Sequence, residues 1–188
     1  MLRGRLIVIA GPSGVGKGTV VARLLKRDPE RLALSVSATT RRPRASETNG
    51  VEYRFVSDAD FDRMVAADEL LEWAEIVGHR SGTPRRFVEE QRAAGRDVVL
   101  EIDVKGAAQV RDQVPDALLI FLMPPTMQEL ERRLRSRGTE DEDAIRTRLR
   151  TAEEELQQTR WFDHVVVNDD VDRAAEEVAA IIGGSRTT

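Results

Sequence analysis

Residues Gly11–Thr19 read GPSGVGKGT, and no other stretch of the chain has types and spacing so plainly suited to one chemistry. Glycines let backbone N–H groups approach phosphate oxygens, and the start of a following helix adds a positive dipole end. Lys17 supplies a compact charge for the outer phosphates. The spelling is that of a phosphate-binding loop, G-x-x-x-x-G-K-[ST], with one change. Gly18 stands where a hydroxyl residue is expected, and Thr19 comes one place late. An ordinary glycine turn before a helix is the plainer alternative. The order of apolar strand (RLIVIA), loop, lysine and helix (VVARLLKR) favours phosphate. Such a loop needs a second strand that brings an acid near the nucleotide's metal. DVVLEIDVKG fits, with Glu101 and Asp103 at or near its end.

The elements around these residues alternate. Strands are expected at Leu6–Ala10, Ala33–Ser37, Val98–Ile102, Leu118–Leu122 and Val165–Val167. Helical spacing follows at Leu130 and Leu134, at Ile145, Leu149, Ala152 and Leu156, and at Val171, Ala174, Ala175, Val178 and Ile182. Two helix starts carry a capping-box spelling, Thr126 with Glu129 and Thr139 with Glu142. Alternation of strand and helix predicts an α/β fold, a parallel sheet flanked by helices. From about Thr39 to Arg86 the rhythm breaks, with YRFV and LLEWAEIV as strand-like pieces around a short helix. This section reads as an inserted lobe, and SRGTEDED as part of a lid.

Composition narrows the function. The 188 residues predict one domain. With 29 basic and 33 acidic residues the net charge is −4, which offers no general attraction to nucleic acid or anionic membrane. The absence of cysteine excludes disulfides and thiolate metal sites, and a cytoplasmic setting is expected. The apolar N-terminal run, LIVIA, is too short for a signal peptide or membrane span.

Taken together, GPSGVGKGT, SVSATTRRPRASETNGVEY, LLEWAEI, SGT, EIDVKGA, RGTEDEDAIRTRL and VVVNDD resemble the guanylate kinase family, from about Arg5 to Gly183. The resemblance implies a P-loop NTPase-type core (1–38, 87–135 and 157–188), a GMP-binding lobe (39–86) and a helical lid (136–156). It implies ATP and Mg²⁺ as cofactors, GMP as the small-molecule partner, and transfer of the γ-phosphoryl of ATP to GMP. ATP would lie on Gly11, Pro12, Ser13, Gly14, Val15, Gly16, Lys17, Gly18 and Thr19, with Asn168 and Asp169 on the adenine side. Lys17, Arg44, Arg137 and Arg148 take catalytic roles, with Arg133 a weaker candidate. Ser37, Glu72 and Thr83 resemble the residues that hold the base, and Arg41, Arg44 and Tyr53 those that clamp its phosphate. Glu101 and Asp103 lie on the substrate side, with Asp103 reaching the metal through water.

Independent chemistry supports several of these. Guanine presents two adjacent N–H donors that one carboxylate can accept, and adenine has no such pair. The plainer alternatives are ordinary: Glu72 a solvated strand residue, Ser37 and Thr83 turn residues, Arg148 an i,i+4 partner on an acidic helix, and NDD a helix cap. Two positions depart from the family. Ser81 stands where its members carry a tyrosine, with Arg80 beside it as a candidate replacement. Gly18 stands where they carry serine; the GKGT that results resembles the spelling of adenylate kinases, whose loop works with Gly there, and the loop is expected to bind ATP with one fewer metal ligand. The alternatives are an adenylate kinase, a phosphosugar kinase of the same fold and a binding module without catalysis.

Overall fold

The computed structural model describes residues 2–44, 47–76, 78–136 and 142–184. Its strands are β1 (Leu6–Ala10), β2 (Leu32–Leu34), β3 (Ala38–Thr39), β4 (Arg54–Phe55), β5 (Leu70–Ile76), β6 (His79–Pro84), β7 (Asp97–Glu101), β8 (Leu118–Met123) and β9 (His164–Val167). Its helices are α1 (Lys17–Arg27), α2 (Asp58–Ala66), α3 (Arg85–Ala93), α4 (Val104–Gln113), α5 (Met127–Ser136), α6 (Glu142–Leu156) and α7 (Val171–Gly184). The class is mixed α/β, and none of the described helices is long and apolar enough to cross a membrane.

Two sheets form. Five strands run in the order β2-β7-β1-β8-β9 and four in the order β4-β3-β6-β5. By contact the chain divides into two compact units, and β1 carries the division between Ile7 and Val8.

The first unit comprises Met1–Ile7, Glu30–Leu100 and Lys105–Ala117. In it β2 lies parallel to β7, with Leu32 opposite Asp97 and Leu34 opposite Val99. Asp97 is fully buried, and its carboxylate accepts from Arg5 Nη2 at 3.0 Å and Arg31 Nη2 at 3.1 Å. A buried charge without such partners would be costly. In the four-stranded sheet β6 runs antiparallel to both β3 and β5. α2 is capped by Ser57, whose hydroxyl accepts from the Asp60 N–H at 3.1 Å. Its Phe61 is fully buried against Ala38 and Leu70.

The second unit comprises Val8–Pro29, Glu101–Val104 and Leu118–Thr188. β8 and β9 pair in parallel, with Phe121 opposite Val165. α1 buries Val20, Val21 and Leu24 on one face and ends with Lys26 and Arg27 at its negative pole. Leu130 and Leu134 of α5 meet Ala152 and Leu149 of α6 in a small core. The capping box at α5 is half formed. Thr126 accepts from the Glu129 N–H at 3.1 Å, but the Glu129 carboxylate turns to Arg132 and Arg133. The second expected box, at Thr139, lies outside the described residues.

One expected strand is shorter than its apolar spelling. β2 stops at Leu34, and the chain crosses to the second sheet, where Ala38–Thr39 forms β3. Ser37 lies on that crossing, and its carbonyl accepts from the Arg54 N–H at 2.9 Å.

Candidate functional site

The fully buried β1 delivers the chain into the loop 11–16 of the second unit, and α1 begins at Lys17. Gly16 has φ of 98°, and a Cβ there would come within 2.5 Å of Asn168 Nδ2, so glycine is required. Lys17 Nζ donates to the carbonyls of Gly11 at 2.6 Å and Pro12 at 3.1 Å, folding over its own loop. The Val15 carbonyl accepts from Asn168 Nδ2 at 2.7 Å and from Arg133 Nη1 at 3.2 Å. Arg133 also donates to the Asn168 carbonyl at 3.1 Å and to Glu129 at 2.8 Å. Arg132 and then Arg133 hold the Glu129 carboxyl down to about 2. Arg148 Nη1 donates to Ser13 Oγ at 2.7 Å, which brings α6 to the loop. Asn168 is fully buried. Asp169 pairs with Arg173 at the start of α7.

Gly18 differs from Gly16. Its φ is not in the left-handed region, and a Cβ there would stand 3.4 Å from both carboxylate oxygens of Glu101. A carboxylate therefore overhangs the slot where the loop pattern places a hydroxyl. Gly18 and Thr19 are exposed, and Asp103 is half-buried beyond the end of β7.

In the first unit Glu72 of β5 is 4% exposed and lies opposite Thr83 of β6, itself fully buried. Thr83 Oγ1 donates to Glu72 Oε1 at 2.7 Å. This hydroxyl lets a carboxylate stay buried and fixes its plane. β5 is an edge strand, and the Gln109 side-chain amide stands in for a further strand. Its Nε2 donates to the Trp73 carbonyl at 2.7 Å, and its Oε1 accepts from the Trp73 N–H at 3.2 Å. A cavity of about 110 Å³ touches Glu72, Trp73 and Gln109.

Arginines cluster on the segment after β3. Arg41 donates to Glu47 through Nη1 at 2.9 Å and Nη2 at 2.8 Å, and its guanidinium carbon lies 5.2 Å from the Tyr53 ring centre. The Arg44 N–H donates to Glu47 at 2.7 Å, while its guanidinium stays 4.0 Å away. Arg41 first, and then the Arg44 N–H, hold the Glu47 carboxyl below its usual range despite desolvation. Arg42 is exposed.

A family model described as guanylate kinase matches residues 3–184. The chain belongs to the guanylate kinase family. A guanylate kinase of Thermobifida fusca is 55% identical over 97% of this chain and 93% of its own length. One of Synechococcus sp. (strain CC9902) is 58% identical over 93% of each chain. The crystal structure of guanylate kinase from Anaplasma phagocytophilum superposes with a TM-score of 0.82 at 30% identity, covering 100% of this chain and 89% of that one. The chain is thus a kinase, an enzyme of this family, and nothing favours the adenylate kinase, phosphosugar kinase or binding-module readings.

Among the expected site residues of this guanylate kinase, the loop, Arg148 and Asn168 come together in one unit, and Glu72 with Thr83 and Arg41 with Tyr53 in the other. Arg137 lies outside the described residues. Arg80 does not stand in for the family tyrosine at Ser81. Its guanidinium is held on α2 by Asp62 at 2.5 Å and Asp58 at 3.0 Å, and covers the Phe61 ring at 4.8 Å. Sequence reasoning passed over Glu47 and Gln109. Glu47 had a signal, an acid six residues after Arg41 within a basic loop. Gln109 had none, since its partner lies 36 residues away.

Proposed function

We propose that this guanylate kinase transfers the γ-phosphoryl of ATP to GMP. The bond from the γ-phosphorus to the β–γ bridging oxygen breaks, a bond to a GMP phosphate oxygen forms, and ADP and GDP leave. Buried Glu72, fixed by Thr83, is the observation that carries this reading. A carboxylate so placed accepts guanine's ring N–H and amino N–H together and leaves adenine without a partner. Sites built to hydrogen-bond a donor pair reject analogues lacking it by roughly 10⁴.

In this reading residues 39–86 form the GMP-binding lobe and 136–156 the lid. Ser37 joins the base site, and Arg41, Arg44 and Tyr53 hold the GMP phosphate. The amides of Gly11 to Thr19 receive the ATP phosphates. Lys17 exchanges its two loop carbonyls for phosphate oxygens, and Arg148 leaves Ser13 for the migrating group, joined by Arg137. Asn168 acts through the loop by holding Val15, with Asp169 beside it. Mg²⁺ carried with ATP supplies charge neutralisation. Asp103, through water, and Glu101 above Gly18 suit a cation that keeps most of its water. Both substrates are cytoplasmic metabolites, and the cytoplasm is the proposed setting.

ADP release measured with GMP, with AMP and with no acceptor tests the proposal. GMP should be turned over at least about 10⁴-fold more efficiently than AMP. Equal use of the two nucleotides, or ADP release without any acceptor, would refute it.

A further inference from the structure

Glu47 belongs to none of the roles above, yet it organises the phosphate clamp. Its carboxylate is 10% exposed and accepts both terminal nitrogens of Arg41 at 2.9 and 2.8 Å. It also accepts the Arg44 N–H at 2.7 Å, while its own N–H donates to the Arg44 carbonyl at 3.0 Å. Two hydrogen bonds of opposite direction therefore join Arg44 and Glu47. The second hydrogen of Arg41 Nη1 goes to the Arg42 carbonyl at 2.9 Å. The face of the guanidinium lies against Tyr53 and Phe55, 5.2 and 5.7 Å from their ring centres.

We propose that Glu47 is a positioning residue for recognition of the GMP phosphate: it grips the terminal edge of Arg41 so that the side edge, Nε with the second Nη2 hydrogen, meets the phosphate. The inference rests on the GMP reading and deepens it. A guanidinium has five donors in a fixed fork, and an end-on carboxylate spends one from each terminal nitrogen. Holding a long, flexible arginine in one rotamer beforehand removes an ordering cost from the binding step. Arg44 differs, with its guanidinium more exposed and 4.0 Å from the same carboxylate. Glu47 thus fixes Arg41 for binding and leaves Arg44 able to move.

A rival role is that Glu47 occupies the phosphate position and must be displaced. The Arg44 N–H that the same carboxylate accepts speaks against this, because leaving would break that bond as well as the ion pair.

The test is Glu47→Gln in the full chain, with GMP and guanosine affinities measured by calorimetry and kcat at saturating GMP. Supporting residues one step from a ligand typically change affinity on the order of ten- to a hundredfold. GMP should weaken by that factor, guanosine should keep its affinity, and kcat should stay within about threefold. Glu47→Asp, which keeps the charge on a shorter arm, should fall between the two and covers the case of a Gln variant that does not fold. Equal weakening of guanosine and GMP would reduce Glu47 to a structural residue and overturn the proposal. Unchanged or tighter GMP binding would overturn it too. Failure of the unsubstituted protein to bind GMP would sink the underlying reading instead.

Discussion

The two regions proposed to handle phosphate are built on opposite principles. The loop at Gly11–Thr19 relies on backbone, and Lys17 donates to two carbonyls of that same loop. The segment after β3 relies on side chains, and Arg41 rests on the Glu47 carboxylate and against the Tyr53 ring. A backbone cradle is shaped by the strand and helix that flank it, with glycine where a Cβ would collide. A side-chain clamp has no such frame and needs a counter-charge to hold its arginines. Charged pairs are also costly to break singly, because removal of one partner leaves the other uncompensated.

That contrast predicts how each region breaks. The largest effect should come from Arg148→Ala, which in the proposed mechanism removes charge where it builds in transfer. Arginines in this role are worth roughly 10³–10⁵ in rate. Steady-state kinetics should show kcat falling on that scale with little change in KM for GMP, and a change in KM alone would take Arg148 out of the chemistry. Arg41→Ala should do the reverse. Loss of a charge-assisted phosphate contact costs about 2–3 kcal/mol, so KM for GMP should rise roughly a hundredfold.

Smaller effects sharpen the comparison. Gln109→Ala unpairs the edge of β5 beside Glu72. The two exposed bonds of Gln109 to Trp73 are worth at most about 1 kcal/mol each and only part of that reaches Glu72, so GMP affinity should fall about fivefold while ATP affinity stays constant in the same titrations. Gly18→Ser should be accommodated, because the new Cβ stands at 3.4 Å from the Glu101 oxygens in ordinary helical backbone. ATP affinity should stay within about threefold, and thermal melting should rise by about 1–2 °C from better helix propensity. Loss of ATP binding would mean that the cradle needs glycine there too. The smallest effect concerns acid. The Glu129 carboxyl is held at about 2, below its unfolded value, by Arg132 and Arg133. Its contribution to stability is complete above the ordinary carboxylate range and is lost as pH falls through about 2. Glu129→Gln should therefore flatten the melting-temperature profile between about pH 4.5 and 2.

The loop was legible because its chemistry is local: glycines, lysine, strand and helix stand next to one another in sequence. Glu72 was legible only through the resemblance, since one glutamate on a strand is ordinary until Thr83 is seen opposite it. β6 was not legible. HRSGTP spells a turn, yet it is a central strand of its sheet, and Gly82 belongs there because a Cβ would meet the Glu72 carbonyl at 2.8 Å and Trp73 Cβ at 2.9 Å. The end of β2 was misjudged because Ser35–Ser37 follow the apolar run without a break in extended character. Gln109 and Arg133 act on residues far away in sequence, where spacing carries no information. Arg80 reads as a spare cation beside Ser81, and only the fold places Asp58 and Asp62 against it.

Division of labour between the loop at Gly11–Thr19 and the proposed GMP-binding lobe is the central claim, and one pair of titrations with Glu72→Gln tests it most directly. The substitution keeps size and the Thr83 contact but replaces an acceptor with a donor facing guanine. GMP and MgATP would each be titrated into this variant and into the unsubstituted protein. GMP affinity should fall by at least about a hundredfold, since a mispaired buried donor costs about 3 kcal/mol, while MgATP affinity stays the same. GMP bound as tightly by the variant as by the unsubstituted protein would contradict the account.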